Sequence, residues 1–370
     1  MSTKVPCRLL HLDAFASKIF GGNPAAVVLI PRGSELPDHV MASVAAELNL
    51  SETSFVSASG PAGSGAYSLR WFTPTVEVAL CGHGTLAAAR ALRLEGEDAE
   101  VLHFFTRSGL LCVIGGGDAM NSGALSMAFP FNPAVPRSDA VCTAIWRALA
   151  GGGGGLLAGA VDSMHYNSTT RKLVVRLHDA TPVETLAAWV PDPGAALSVD
   201  QSGVPDSRRV TGVSVTLRAR TGGGVSFYSR YFSPWNGILE DPVNGSSHTI
   251  LGPLWADALA VWGPASPADA STVHGVPGGM PRLGDGDRRQ LLHSEARLSG
   301  VQLSARGGDL DLRIIRAGLR GHAPSEASGC SSREDWLGVE LMPQFSRVVL
   351  SGTVALVYSG DVVLEGAVTR

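Results

Sequence analysis

Arg70-Trp71-Phe72-Thr73-Pro74, followed by Cys81-Gly82-His83-Gly84-Thr85, is answered later in the chain by Arg230-Tyr231-Phe232-Ser233-Pro234. That second stretch leads into Asp241-Pro242-Val243-Asn244-Gly245-Ser246-Ser247-His248-Thr249. Each passage reads as a strand ending in Arg-aromatic-Phe-(Thr/Ser)-Pro, an acidic turn, and a small-residue entry into a helix. The two arginines lie 160 residues apart, so the passages are taken as equivalent points in two halves of a duplicated fold. A glycine beside a hydroxyl or imidazole at a helix start leaves backbone N–H groups unpaired, and these, with the positive end of the helix dipole, attract anions. Two such starts facing one cleft would clamp a small carboxylate, whereas each start alone is ordinary helix capping.

The pattern extends outward from these passages. Alternation predicts strands over 7–15, 25–30, 54–58 and 67–72, and Asp38 begins a helix to Leu48 with Val40, Met41, Val44, Ala45 and Leu48 on one face. Residues 85–94 (TLAAARALRL) are strongly helical and nearly uncharged on most sides, as a buried helix is. A hairpin over 101–106 and 110–114 turns at Arg107-Ser108-Gly109, and a strand covers 124–129. The second half repeats this order: strands at 158–167, 173–177, 213–217 and 225–232, a helix at 182–190, and a helix from Ser246 to Leu259 bent or tightened by Pro253. Its hairpin over 301–305 and 310–315 turns at Arg306-Gly307-Gly308. These features predict an α+β fold of two pseudo-symmetric domains, each a barrel-like, mostly antiparallel sheet around one central helix, with both helix starts at the seam. The first domain spans 1–130, with the last strand at 361–370 as a candidate to complete it; the second spans 131–360. The glycine run 151–155, the Pro/Gly/Asp-rich 263–289 and the polar 318–343 read as insertions.

Composition bounds the function. Apolar content of 45% and charged content of 17% provide ample core, and a net charge of −4 favours neither nucleic acid nor a membrane surface. Cys7, Cys81, Cys112, Cys142 and Cys330 are odd in number and lack Cys-x-x-Cys spacing, which suits reduced thiols in a cytoplasmic protein. No signal-peptide pattern or membrane-length apolar run is present. Walker A, Gly-x-Gly-x-x-Gly and His-Glu-x-x-His patterns are also missing, so no cofactor and no metal are expected.

The chemistry-bearing candidates are few. Glu52, in Asn49-Leu50-Ser51-Glu52-Thr53, lies at a helix-to-strand junction from which a carboxylate can enter a cleft. Apolar walls and a neighbouring Asp241 are expected to raise its pKa and fit it to shuttle a proton. His83 at the first helix start can donate to substrate or relay a proton. Asp241 orients a partner, and Ser246 is an N-cap or a hydroxyl donor. Gly82, Gly84, Gly245 and Ser247 are the expected substrate-binding positions. Cys81 is the rival base, since a thiol at a helix start is expected to have a lowered pKa. Its counterpart segment, Asn244-Gly245-Ser246-Ser247, holds no second thiol for a two-base racemase.

Five ordered motifs carry a family resemblance: Phe20-Gly21-Gly22-Asn23-Pro24-Ala25-Ala26-Val27, Asn49–Thr53, Arg70–Pro74, Cys81-Gly82-His83 and Glu240–Ser246. Together they resemble the PhzF-like isomerases of phenazine biosynthesis, over most of the chain apart from the insertions. The resemblance implies the diaminopimelate-epimerase-like fold with the site between two pseudo-symmetric domains, and a homodimer. It implies isomerisation of a small cyclic carboxylate by moving a proton within the substrate, without metal or organic cofactor. It places the catalytic glutamate on Glu52, the glycine-histidine pair on Gly82 and His83, the aspartate on Asp241, and the glycine-serine pair on Gly245 and Ser246. Asn244 stands where the family often has threonine. The alternatives are a Cys81-dependent epimerase or racemase, and a binding protein that kept the fold and lost the chemistry.

Overall fold

The computed structural model describes residues 3–115, 124–151, 155, 157, 159–220, 224–261, 263–264, 292–304, 306–318 and 347–368. Most of the three expected insertions, and Cys330, lie outside these residues.

Strand pairing bears out the duplication. In the first half the strands are Thr3–Ala14, Asn23–Ile30, Glu52–Ala58, Ala66–Phe72, Val101–Thr106, Gly109–Ile114 and Ala124–Pro130. Neighbours pair antiparallel, parallel, antiparallel, parallel, antiparallel and antiparallel. In the second half Val161–Asn167, Lys172–Leu177, Gly212–Arg218, Phe227–Ser233, Leu292–Gln302, Gly308–Gly318 and the start of Arg347–Val368 follow the same sequence of senses. The final strands of the two halves pair with each other, Leu350 opposite Met127 and Ser351 opposite Ser126. The Ser126 and Ser351 hydroxyls meet there at 2.7 Å. Each strand then crosses over. Residues 354–366 pair along Thr3–Ala14, and Val135–Pro136 pairs with the strand Val161–Asn167. The first sheet therefore closes on backbone from the second half, and the second sheet is met at its edge by two residues of the segment that leaves the first half.

Side-chain alternation sends one face of each sheet inward. Leu10, Leu12, Val27, Val56 and Leu69 from the first half, and Val174, Phe227, Leu310 and Leu350 from the second, join one core with the two central helices. The first helix, Gly82–Leu94, is buried from His83 through Arg93. The second, Gly245–Ala258, runs on through Pro253. Proline lacks an N–H, so the carbonyl of Thr249 loses its helical donor; the Asn132 N–H takes that place at 3.3 Å. Both helices start three residues or one residue before the expected Thr85 and Ser246, which brings Gly82, His83, Gly84 and Gly245 into the first turns. Outside the sheets, Asp38–Leu48 packs Met41 and Ala45 on the first half. Ala140–Leu149 packs Cys142, Ile145, Trp146 and Leu149 on the second. This last helix was not anticipated, although Asp139 caps it and its apolar residues keep helical spacing. The strand Leu292–Gln302 begins well before the expected 301, and Arg347–Val368 is far longer than the anticipated last strand. Among the described residues no helix is long and apolar enough to cross a membrane.

The Arg-aromatic-Phe repeat is structural. Arg70 grips Glu77 with two bonds of 2.8 and 2.9 Å, and Arg230 grips Glu240 with two of 2.7 Å. Each guanidinium also lies over its own phenylalanine, 5.2 Å from Phe72 and 5.3 Å from Phe232. The burial differs: the Arg230 side chain is 7% exposed and Arg70 29%. Arg230 also donates to the carbonyls of Leu186 and Trp189. Arg230→Met should therefore lower unfolding free energy by about 2–4 kcal/mol, because the carbonyls of Leu186 and Trp189 lose a buried charged donor along with the partly exposed Glu240. Arg70→Met should lower it by about 1 kcal/mol or less. Urea denaturation of the two variants side by side checks this order.

Candidate active site

The two helix starts meet in the interior. Phe129 touches both: a Cβ on Gly82 would lie 2.9 Å from its Cζ, and one on Gly245 3.9 Å. Asn23 ties them together. Its Nδ2 donates to Asp241 Oδ1 at 2.6 Å and to the Val243 carbonyl at 2.9 Å, and lies 3.3 Å from His83 Nδ1. Its Oδ1 accepts from Ser51 Oγ at 3.1 Å. Asn23 begins a strand at the end of a tight turn whose Gly22 sits at φ 60°. A Cβ there would overlap the Ala14 carbonyl oxygen, so only glycine fits. The Arg306-Gly307 turn of the second half clamps this loop through Arg306 to the carbonyls of Gly21 and Gly22 and to Asp13. The Arg107 turn, equivalent in sequence order, instead binds Glu77 of its own half.

Glu52 opens its strand on the face shared with Ser54 and Val56, pointing at the first helix start. It is 8% exposed, and its Oε2 lies 3.1 Å from His83 Nε2. That oxygen is off the axis of the ring N–H and makes no hydrogen bond. Burial pushes the Glu52 carboxyl up, but His83, aided by Ser51 and Cys81, outweighs it, and the group ends below its ordinary value. This reverses the expected upward shift: the closest charge is the imidazole, not Asp241. Burial opposes a charged ring at His83, yet Cys81 and Glu52 bring it well above the usual histidine range. Both directions favour a proton on the imidazole over one on the carboxylate. Asp241 goes the other way, pushed to about 6 by burial, with Glu52 adding to the rise and His83, Asn244 and Lys172 restraining it.

Cys81 and Asn244 hold equivalent posts. Cys81 Sγ accepts from the Gly84 N–H at 3.3 Å, and Asn244 Oδ1 from the Ser247 N–H at 2.7 Å. Both are N-caps. Gly84 and Ser247 therefore spend their donors on capping, and the first-turn donors without an intrahelical acceptor belong to Gly82 and His83 on one side and Gly245 and Ser246 on the other. Burial raises the Cys81 thiol, contrary to the expected lowering at a helix start. Desolvation there outweighs the dipole. The donor atoms of Glu52, Cys81 and His83 lie within 4.8 Å of one another. Three donors are the number a catalytic rather than a structural zinc takes, but Cys81 is engaged as a cap and burial raises its thiol, which disfavours the thiolate a metal needs.

A family profile described as phenazine biosynthesis-like protein (PhzC-PhzF) matches residues 12–273. The chain belongs to the phenazine biosynthesis-like family. The bovine phenazine biosynthesis-like domain-containing protein is 36% identical over 260 residues, 67% of this chain and 82% of its own length. A Pseudomonas aeruginosa protein described as an uncharacterized isomerase is 35% identical over 322 residues, 86% of this chain and 96% of its own. The crystal structure of an Enterococcus faecalis PhzF-family protein matches with a TM-score of 0.63 at 29% identity, covering 98% of this chain and 99% of that one. The fold expected from the family resemblance is the fold observed.

Within this phenazine biosynthesis-like chain the structure brings Glu52, His83, Asp241, Gly82, Gly245 and Ser246 to one place. Sequence reasoning did not single out Asn23, Ser51 or Lys172. Asn23 stood inside a quoted motif, but as part of a turn. Lys172 heads the strand Lys172–Leu177 and shares the inward face with Val174, while Leu173, Val175 and Leu177 pack outside. Its signal was rarity: the chain has three lysines, Lys4, Lys18 and Lys172, among 29 basic residues, so arginine is the default cation here.

Proposed function

We propose that the protein is a cofactor-independent isomerase that moves a proton within a small carboxylate-bearing substrate, with Glu52 as the base. The carrying observation is the buried Glu52 carboxylate against His83, with one oxygen unbonded, at the meeting point of two helix starts. The family membership and the isomerase description of the Pseudomonas relative support the same class of chemistry. Ionised Glu52 takes the proton from an activated C–H; the electron pair moves into the conjugated system toward the substrate carboxylate. N–H groups of Gly82, His83, Gly245 and Ser246 receive the charge that develops there. Glu52 then returns the proton to another carbon of that system, so no net proton is gained or lost. Asn23 and Asp241 hold the two helix starts in register. The Cys81 reading is disfavoured, because a raised, capping thiol is a poor base and its counterpart is an asparagine. The homodimer and the cytoplasmic compartment stand as proposals beside this one.

The deciding experiment is Glu52→Gln assayed by solvent deuterium exchange at the substrate C–H. A second outcome concerns pH. Ionised Asp241 accepts from the Asn23 and Asn244 amides; protonated, it presents a donor to donors. With its pKa near 6 rather than in the usual carboxylate range, kcat/KM should rise with pH through about 6 on the acid side. A pH–rate profile with no acid limb above pH 5 would remove Asp241 from that role.

A further inference from the structure

The register of the two sheets identifies which residues replace each other across the pseudo-twofold. In the first half Ala25 faces Glu52 and Ser54 faces Trp71. In the second half Lys172 faces Gly212 and Ser214 faces Tyr231. Gly212 thus holds the place of Glu52, and Lys172 the place of Ala25. The second half has no carboxylate at the equivalent point; a Cβ on Gly212 would overlap the Tyr231 hydroxyl, which fills that space. It has a buried lysine instead. Lys172 Nζ donates to Ser246 Oγ and, at 3.3 Å, to Asn244 Oδ1, and lies 4.8 Å from the centre of the Tyr231 ring. Ser246 and Asn244 are the helix-start residues that correspond to His83 and Cys81. The base pair of one half therefore confronts a cation-bearing pair in the other.

We propose that Lys172 is a further substrate-positioning residue, acting beneath Ser246 and Asn244 as the counter-cation for a substrate carboxylate seated on the second helix start. This rests on the reading of the cleft as a carboxylate-isomerising site and adds the residue that supplies its positive charge. Lys172 is 7% exposed, and no carboxylate among the described residues lies within ion-pair distance of it. Burial lowers its pKa to about 7, with Asp241 opposing the fall. The other groups facing it are the Tyr231 phenol, held neutral by burial, and the His248 imidazole, which burial pushes down to about 4 and so keeps uncharged. Glu52 and His83 reach it only through Asp241. An arginine here would carry its charge permanently, whereas a lysine this buried can shed its proton and regain it beside an anion. The sign follows: a carboxylate beside Nζ raises the lysine pKa, so binding above pH 7 takes up a proton.

The probes are benzoate and 2-aminobenzoate, titrated calorimetrically at about pH 8 in two buffers of different ionisation enthalpy, where a lysine with pKa near 7 is mostly neutral. The wild-type protein should take up about 0.4 proton or more per anion bound, the uptake of a lysine moved up from about 7 by a unit or more. Lys172→Met keeps the stem and removes the charge; it should bind about 10–100-fold more weakly and take up none, as expected for losing a charged hydrogen-bond donor. Undiminished affinity and uptake in Lys172→Met would place the titrating group elsewhere, Asp241 being the obvious one, and would overturn the proposal. So would failure of the wild type to bind either probe at millimolar concentration. If Lys172→Met does not fold, the wild-type protein still decides. With carbon-13 at lysine Cε only three signals arise, and Lys172→Met identifies the one that belongs to Lys172, or, failing that, Lys4→Arg and Lys18→Arg identify the other two. The Lys172 signal should have its midpoint near 7 and move up by a unit or more when benzoate saturates the site; an unmoved midpoint overturns the proposal. Neither readout uses turnover. An active Glu52→Gln would displace the base and leave this result standing, and the converse also holds.

Discussion

Glu52→Gln should bind substrate analogues with near-normal affinity and lose turnover by about 10²–10⁴-fold, the range for removing a proton-transfer group. The amide keeps the size of the carboxylate and can still face His83, but it cannot take a proton. The loss should be equal for isomerisation and for exchange of the substrate C–H with deuterium from heavy water, because both need the same abstraction. Proton NMR of substrate incubated in heavy water, wild type beside variant, measures both at once. The pair's charges sharpen the expectation. Glu52 lies below the usual carboxylate value and His83 well above the usual imidazole value, so the base is ionised across the neutral range. Raising pH from 6 to 8 should not add activity through Glu52. Replacing it removes the buried anion that holds the His83 proton, and the imidazole pKa of the variant should fall. Retained exchange in Glu52→Gln, with exchange lost in Cys81→Ser, would transfer the base to the thiol.

Asn23→Leu should be the most damaging change at the site that alters no titratable group itself. The side chain is fully buried, and its amide satisfies Asp241 Oδ1 and the Val243 carbonyl, two acceptors some 218 and 220 residues along the chain. Leucine matches its bulk approximately and offers no donor. Each stranded buried acceptor costs about 1–3 kcal/mol, so the fold should lose about 2–6 kcal/mol in all. Urea denaturation should show a lower midpoint with an unchanged slope, which separates lost stability from a changed unfolded state. The Asp241 carboxylate loses a stabilising donor, so its pKa should rise further above 6 and carry the acid limb of kcat/KM upward with it. A variant with wild-type stability and an unmoved limb would mean that Asn23 does not link the halves.

The reading of Gly82-His83 and Gly245-Ser246 as paired helix starts came from local chemistry, and local chemistry sufficed. Small residues, an N-cap and an apolar run specify a buried helix wherever it lies. The same holds for the Asp38–Leu48 helix and for the Arg107 and Arg306 turns. Ala140–Leu149 was equally legible from Asp139 and its apolar spacing, and went unread. Lys172 was harder. It heads an ordinary apolar strand, and only the register with Gly212 shows that it replaces Ala25 and faces the second helix start. Asn23 belonged to a turn by sequence and became a cross-link only when Asp241 and Val243 were beside it.

By itself the sequence determined the repeat, the two central helices, and Glu52, His83, Asp241 and Ser246 as the groups worth watching. These follow from hydrogen-bond valence and side-chain periodicity over a few residues, which do not depend on where the rest of the chain goes. The caps proved to be Cys81 and Asn244, not Ser246. Only the tertiary structure decided that the chain's last strand, a candidate by sequence, does close the first sheet, because residues 354–366 and Thr3–Ala14 meet across nearly the whole chain length. It also decided the charges. Glu52 falls, Asp241 rises to about 6, Cys81 rises and Lys172 drops to about 7 through the balance of burial and facing groups. That balance depends on which side chains share a dry space, and a linear sequence does not specify distances between residues two hundred positions apart.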